Sequence, residues 1–393
     1  MSRSGIILPI GLLAWVCSSA CAQSEAVAVR EPEPPILLPI DRTCGNCVRY
    51  SGGLEYLVFA IRDGASPQVL HTLPGNFADL VLAAGNAIPP DSVRPVFGRD
   101  GLNYGTFSGI RLDLAADLPQ GIRPGLDASF LQLEQRSDSF NTLSGGSSRR
   151  AALDARSPDG AGRFLFLSLP DGSQSTAFSV ENPLHLFALD FNAHCGGYRL
   201  FSDRTLVHLG VRYFDLRETV RVDGTSISGS SIALSTDRYR AVNQFYGGQI
   251  GWTSIFDRDR WSLSLCGKFA LGAMNQSIRL DDESIRFDRG SIRSFGGFES
   301  AVRRTRLAFM PEGVFKLSYR VAPGCRFNLG YDLFTISDIQ RAAEAIRPLV
   351  QSLQTPLAPG PGIDATRATL PTYGFHTSDF WAQGVTIGLS LVF

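Results

Sequence analysis

Residues that could carry catalytic or metal chemistry are few and widely spaced in this sequence. The five histidines are His71, His185, His194, His208 and His376. No two of them stand at the H-x-x-x-H or H-E-x-x-H spacing that places two imidazoles on one helix face. Neither a G-x-S-x-G nucleophile turn nor a phosphate-binding loop occurs. These spacings predict no catalytic residue, no metal site and no cofactor, so the sequence favours a protein that is not an enzyme.

The cysteines form a second group with chemical potential. Outside the N-terminal segment they are Cys44, Cys47, Cys195, Cys266 and Cys325. All but Cys266 are predicted to lie at one end of the fold, in an oxidising compartment where disulfide bonds form. Four cysteines allow three pairings, and the sequence does not choose among them. Exposed thiols and a four-thiolate zinc site are the alternatives. Cys266 is predicted to be a free thiol.

The N-terminus has the pattern of a secretory signal. An apolar core from Gly5 to Val16 is followed by Ala20-Cys21-Ala22, a small-x-small cleavage pattern. We expect cleavage before Gln23, with lipidation of Cys21 as the less favoured alternative. Residues 1–22 are thus predicted to be a signal peptide, and the Pro-rich residues 23–50 an extended periplasmic linker.

The last strand shows most clearly an alternation that recurs after residue 50. Every second position is apolar, namely Val385, Ile387, Leu389, Leu391 and Phe393, and the positions between them from 384 to 390 are Gly, Thr, Gly and Ser. A strand with lipid outside and a polar lumen inside needs these two faces. We expect this strand to close a barrel and to carry the signal that the barrel-assembly machinery reads.

The links between ten such runs alternate in length. The short links are 117–123, 195–202, 254–259 and 321–324, and the long ones are 62–106, 135–183, 217–242, 272–305 and 336–378. This alternation places every short link at one end, as in outer-membrane barrels with short periplasmic turns and long extracellular loops. The prediction is an all-β, antiparallel transmembrane barrel of about 10 strands (10–12) over residues 51–393, located in the outer membrane after secretion across the inner membrane.

Several segments resemble a known family. They are Gly210-Val-Arg-Tyr-Phe-Asp215, Tyr246-Gly-Gly-Gln-Ile-Gly251, Trp261 to Gly272, Phe327-Asn-Leu-Gly-Tyr-Asp332 and Phe380 to Phe393. They are similar to the outer-membrane β-barrel family of planctomycete bacteria, a family of unknown function. The resemblance covers roughly residues 50–393 and is strongest from 184 onward. It implies the barrel and its location, and it implies no reaction.

Seven charged residues take the inward parity of their strands. They are Arg111, Asp113, Arg212, Lys268, Glu312, Lys316 and Asp332. About eight strands give a barrel filled by side chains, whereas 16 to 18 leave an aqueous channel. Ten strands therefore favour an envelope structural or surface-display barrel whose lumen is largely filled by polar side chains. A narrow, porin-like passive diffusion channel for small solutes is the alternative, and an outer-membrane enzyme is a remote one.

The charge balance bears on partners. Lys and Arg number 37, equal to Asp and Glu, so a nucleic-acid partner has no electrostatic support. The expected partners are outer-membrane lipid and, during biogenesis, the barrel-assembly machinery. The sequence identifies no ligand for the outer loops.

Overall fold

The computed structural model describes residues 48–63, 70–72, 94–97, 104–119, 124–144, 151–156, 162–166, 174–198, 202–288, 291–343, 375 and 377–393. The predicted signal peptide and nearly all of the predicted linker lie outside these ranges, as do Cys44 and Cys47. Within the described ranges, no helix has the length and apolar character needed to cross a bilayer.

The described residues form fourteen β-strands. In chain order they are β1 (Arg49–Ile61), β2 (Leu70–Thr72), β3 (Arg94–Phe97), β4 (Thr106–Asp117), β5 (Gly125–Ser144), β6 (Ala151–Arg156), β7 (Gly162–Phe166), β8 (Gln174–Tyr198), β9 (Arg204–Ser228), β10 (Ser231–Arg258), β11 (Trp261–Asp288), β12 (Ser291–Ala322), β13 (Cys325–Gln340) and β14 (Thr377–Val392).

Ten of these strands form a closed antiparallel barrel in the order β1-β14-β13-β12-β11-β10-β9-β8-β5-β4. Each barrel strand pairs with its neighbours along the chain, and β14 closes the ring against β1, from Ser51↔Val392 to Ile61↔Ala382. Beyond this register, the backbone N–H of Phe393 donates to the Tyr50 carbonyl at 2.8 Å. The predicted fold class is confirmed, with the ten strands that the sequence indicated.

A band of apolar side chains surrounds the outside of the barrel. On β14, Val385, Ile387, Leu389 and Leu391 are 43–52% exposed, and the final Phe393 is 74% exposed. Aromatic pairs lie at two levels of this band: Trp261 contacts Tyr319, and Tyr213 contacts Tyr246, each as a tilted pair with ring centroids 4.8 Å apart. An outward apolar surface with aromatic girdles is the surface that a bilayer requires.

The predicted lengths of several strands and links are wrong. The segments 217–242 and 272–305 are not long loops, because β9 to β12 run for 25 to 32 residues each. Only residues 229–230 separate β9 from β10, and only residues 289–290 separate β11 from β12. Gly229 adopts a φ of 56° between β9 and β10. Strand ends that extend beyond the bilayer meet water on their outer face, so they lose the alternation that marks a membrane strand.

A smaller sheet connects two of the remaining long links. Its order is β3-β2-β6-β7, so it combines strands from the predicted loops 62–106 and 135–183. The pairing of His71 with Ala152 joins the two links directly. Strands β9 and β10 form one hairpin, and β11 and β12 form another. We call the barrel end that carries these long links and the connections of the two hairpins the hairpin end. The other end, with short connections such as 259–260 and 323–324, is called the turn end.

Candidate functional site in the barrel lumen

The structure places all seven predicted lumen charges inside the barrel and adds Glu55 and Asp190 to them. We call these nine residues the charged layer. They form two clusters of ion pairs, each spanning several strands. Burying a charge is costly unless an opposite charge and hydrogen bonds compensate it, so the pairing decides whether this layer is stable.

The first cluster links β1, β4, β12 and β13. Arg111 Nη1 lies 2.5 Å from Asp332 Oδ2 and 3.5 Å from Glu55 Oε2. Lys316 Nζ lies 2.6 Å from Glu55 Oε1 and 3.8 Å from Asp113 Oδ2. Two cations thus neutralise most of the charge of three carboxylates.

The second cluster joins strands that are not neighbours in the barrel. Arg212 on β9 donates through Nε to Asp190 Oδ1 at 2.6 Å and also pairs with Glu312 on β12. Lys268 Nζ on β11 donates to Asp190 Oδ2 at 2.9 Å. Because β9 and β12 are not neighbours in the barrel, these bonds cross the lumen and fill part of it.

Sequence reasoning missed Glu55 and Asp190 because their strands are apolar on both faces for part of their length. In β1 the inward positions after Glu55 are Leu57 and Phe59, both fully buried. Near Asp190, the outward Leu189 and Phe191 give the parity that would have identified it.

Next to the charged layer, toward the hairpin end, four phenylalanines close the lumen. We call Phe59, Phe214, Phe334 and Phe380 the aromatic layer. The Phe214 ring centroid lies 6.1 Å from that of Phe334 and 6.4 Å from that of Phe380. Phe334 also lies 6.4 Å from Phe59 and 6.3 Å from Phe380. β9, which carries Phe214, is on the opposite side of the ring from β14, so these rings meet across the lumen.

Other apolar side chains complete this closure. Fully buried members of the same core include Leu57, Phe107, Leu133, Leu186, Phe245 and Met274. The prediction of a lumen filled mainly by polar side chains therefore describes only the turn-end half. A cavity of about 350 Å³ remains within and below the charged layer, and its apolar lining residues include Leu131, Met310 and Phe334.

The chain after β13 enters the lumen above the aromatic layer. We call residues 337–343 the cap segment. The register with β14 shifts between Ile336 and Ile339, and Asp338 adopts a φ of 58°, a left-handed conformation that redirects the backbone. The side chains from Ile339 to Ala343 are at most 2% exposed. Pairing with β14 resumes at Ile339 and ends at Gln340, and from Arg341 the chain leaves the wall and turns inward.

A bidentate ion pair holds the cap segment. Arg341 Nε donates to Glu218 Oε2 at 3.0 Å, and Arg341 Nη2 donates to Glu218 Oε1 at 2.9 Å. The Ala342 N–H donates to the same carboxylate at 2.8 Å. The Tyr104 hydroxyl also donates a hydrogen bond to Glu218. On β10, Asn243 donates to the Gln340 carbonyl and accepts from its N–H, both at 2.8 Å.

Glu218 lies outside the lipid-facing band, since its outward neighbour Arg217 is exposed and charged. Burial alone raises the pKa of the Glu218 carboxyl, but Arg341, Tyr104 and the Ala342 N–H outweigh it and hold that pKa below its ordinary value. Burial and the adjacent Glu218 charge raise the pKa of Tyr104 well above its usual range. Glu218 is therefore a stable anion at neutral pH.

One group of side chains in the described ranges has donor atoms placed for a metal ion. Asp127, His194 and His208 offer one oxygen and two nitrogens that all lie within 4.8 Å of one another. They lie near the turn end of the lumen. The spacing of histidines in the sequence gave no sign of this group.

The structure describes three of the five cysteines considered in the sequence. Cys195, Cys266 and Cys325 form no disulfide bond with one another. The predicted partners Cys44 and Cys47 lie outside the described residues, so a disulfide that includes them stays a prediction.

The closed antiparallel ring with its apolar belt defines an outer-membrane β-barrel. Within that class, the chain belongs to the family described as "putative beta barrel porin-7" (BBP7), which matches residues 83–393. No curated protein matches the sequence.

Two solved structures have a distant likeness to this chain. The outer membrane protease OmpT from Escherichia coli is 11% identical, with 89% of this chain and 98% of that chain covered and a TM-score of 0.38. A Pseudomonas aeruginosa FadL homologue is 7% identical, with 88% and 90% covered and a TM-score of 0.22. These values carry no inference about activity.

Proposed function

We propose that this outer-membrane barrel has a structural or surface-display role in the cell envelope and does not conduct solutes at rest. The observation that carries the proposal is the contact of Phe214 with Phe334 and Phe380 across the lumen. The cap segment adds a second closure above these rings through Arg341 and Glu218. Two successive seals leave no continuous aqueous path through the described interior.

The distribution of chain supports the display role. β9 to β12 extend beyond the lipid-facing band at the hairpin end, where the small sheet also combines two long links. The turn end has only short connections. Much of the chain thus lies where it can contact the cell exterior, while the barrel anchors it.

Single-channel recording in planar bilayers tests the closed lumen. The folded wild-type protein is expected to give no stable conductance steps. A first variant replaces residues 341–376 by Asn-Gly, a two-residue turn suited to the register partners Gln340 and Thr377. It removes Arg341 to Ala343, and with them the ion pair to Glu218, but keeps the rings, so it is expected to stay closed.

A second variant adds Phe214→Ala and Phe380→Ala to this deletion and is expected to conduct. The matched control adds Phe269→Ala and Phe309→Ala, which change two lipid-facing rings. Stable steps from the wild type, or no difference between ring and control variants, would contradict the closed-lumen proposal.

An epitope placed between Gly229 and Ser230 tests display. On intact cells it is expected to bind antibody, whereas the same epitope between Pro323 and Gly324 at the turn end is expected to bind only after the outer membrane is opened. The reverse pattern would overturn the proposed orientation.

Assembly is a further part of the proposal. Phe393 directly follows β14, the strand that closes the ring, and its N–H donates to Tyr50. We propose that the barrel-assembly machinery reads this closing strand together with Phe393. Deletion of Phe393 is expected to lower the folded, heat-modifiable fraction on unboiled gels. Ser390→Ala, an inward change on the same strand, is the control. Equal yields from all three proteins would argue against this role.

A narrow diffusion channel is the second candidate, because the family is described as porin-like and a polar cavity lies below the aromatic layer. In this candidate the cap segment and the rings would have to move before solutes pass. Stable conductance steps from the wild type would favour this second candidate.

A further inference from the structure

We propose that Asp127, His194 and His208 form a binding site for a divalent transition-metal ion, with Zn²⁺ as its representative. Two imidazoles and one carboxylate are the ligand set of many zinc and non-haem iron sites that keep further positions open for water. The proposal concerns the turn end of the lumen, so it does not depend on the closure at the aromatic layer.

The distances fit a metal that replaces hydrogen bonds. Asp127 Oδ2 lies 3.1 Å from His194 Nδ1 and 3.2 Å from His208 Nδ1. Metal–ligand bonds of about 2.0–2.1 Å in a tetrahedral site place the ligand atoms about 3.3–3.4 Å apart. Two of the three ligand–ligand separations therefore already approach the required value. The third, between the two nitrogens, is within 4.8 Å.

Each of the three side chains is oriented by a second partner. His194 Nε2 lies 2.9 Å from Asp117 Oδ1, and His208 Nε2 lies 2.9 Å from Thr253 Oγ1. Asn192 donates to the other oxygen of Asp127 at 2.7 Å. Partners of this kind hold the proton on Nε2 and direct Nδ1 toward a metal, as they do in established metal sites.

Strand pairing brings the three ligands together. His194 on β8 stands directly opposite His208 on β9, and β5, which carries Asp127, is the other neighbour of β8. Gly125 faces the His194 ring so closely that a Cβ at this position would lie 2.5 Å from Nε2. A residue without a side chain thus leaves space for the imidazole.

The group also has access to solvent. Asp127, His208 and Thr253 line the cavity of about 350 Å³, which has room for the water molecules that would complete the coordination. The competing interpretation is an imidazolium ion at His194, because each of its nitrogens faces a carboxylate. That interpretation predicts an ion pair without metal affinity.

Titration of the folded, untagged, chelator-treated protein with Zn²⁺ separates these interpretations. Isothermal calorimetry is done in a Cys44→Ser/Cys47→Ser background, which removes a separate thiolate site. We expect binding of one equivalent per chain and a visible Co²⁺ spectrum when cobalt replaces zinc. His194→Ala, His208→Ala and Asp127→Asn are each expected to weaken binding at least tenfold.

Thr253→Val tests the orienting partner and is expected to weaken binding by about tenfold. His185→Ala is the matched control, because His185 lies on β8 with the opposite parity and packs near Phe187. Heat-modifiability on gels verifies that each variant is folded. Absence of saturable binding by the parent protein, or equal affinity in the three ligand variants and the control, would overturn the proposal.

Discussion

The two halves of the barrel interior solve the same packing problem with different chemistry. The charged layer at the turn end fills the space with ion pairs and leaves a cavity, whereas the aromatic layer fills it with rings. On β9 and β13 the two layers meet at successive inward positions: Arg212 is followed by Phe214, and Asp332 is followed by Phe334. Charged side chains must satisfy many hydrogen bonds and tolerate nearby water, while apolar rings gain free energy by excluding it.

This difference suggests a division of roles. The charged layer and the histidine pair place polar groups around the cavity on the turn-end side of the aromatic layer. The aromatic layer and the cap segment separate that compartment from the hairpin end. Substitutions in the two halves should therefore lower the free energy of unfolding by different amounts.

The largest effect is expected from Phe214→Ala. Because Phe214 is fully buried among Phe334 and Phe380, the cavity left behind should lower the free energy of unfolding by about 3–5 kcal/mol. Denaturant unfolding of the detergent-folded protein measures this. Phe309→Ala, a lipid-facing change, is the control, and an equal loss from both would show that the aromatic layer is not tightly packed.

Glu218→Gln should have the next largest effect. It leaves the Arg341 guanidinium buried without its anion, which should lower the free energy of unfolding by about 3 kcal/mol. This value is at the low end of the range for a buried ion pair that loses one partner. The amide oxygen can still accept from Tyr104 and Ala342, which limits the loss. The same unfolding assay applies. A change below about 1 kcal/mol would mean that the cap segment is not held by this pair.

The pH dependence of that difference gives a sharper test. Because the folded pKa of Glu218 is lowered, the stabilisation by its charge is full above the ordinary glutamate pKa of about 4.3 and is lost as the pH falls through the folded value. The stability gap between wild type and Glu218→Gln should thus stay constant from pH 7 to about 5 and shrink in stronger acid. A gap that vanishes already near neutrality would contradict the lowered pKa.

Lys268→Met is expected to have the smallest effect, about 1–2 kcal/mol. Asp190 keeps its bidentate partner Arg212 after this change, so no carboxylate is left without a cation. Arg212→Met removes partners from both Asp190 and Glu312 and should cost more. If the two variants were equally destabilised, the charged layer would not consist of the pairs described above.

Part of this site could be predicted from the sequence and part could not. The inward parity of Arg212, Lys268 and Glu312 is visible because the opposite face of their strands carries exposed apolar residues, such as Val211, Phe269 and Phe309. The inward Phe214 and Phe334 are not distinguishable in this way, since an apolar residue on an apolar strand fits either face. The cap segment gave no signal, because its inward turn depends on Glu218, more than a hundred residues away.

The sequence by itself determined that the chain forms a barrel, because lipid outside and side chains inside impose a period of two on every membrane strand. It also determined the strand count, the closing strand and the inward parity of seven of the nine charges in the charged layer. Only the tertiary structure decided which charges pair, that rings from opposite walls meet, and that His194 faces His208 beside Asp127. The physical reason is that alternation is a local property of one strand, whereas contacts across the lumen depend on the register and curvature of all ten.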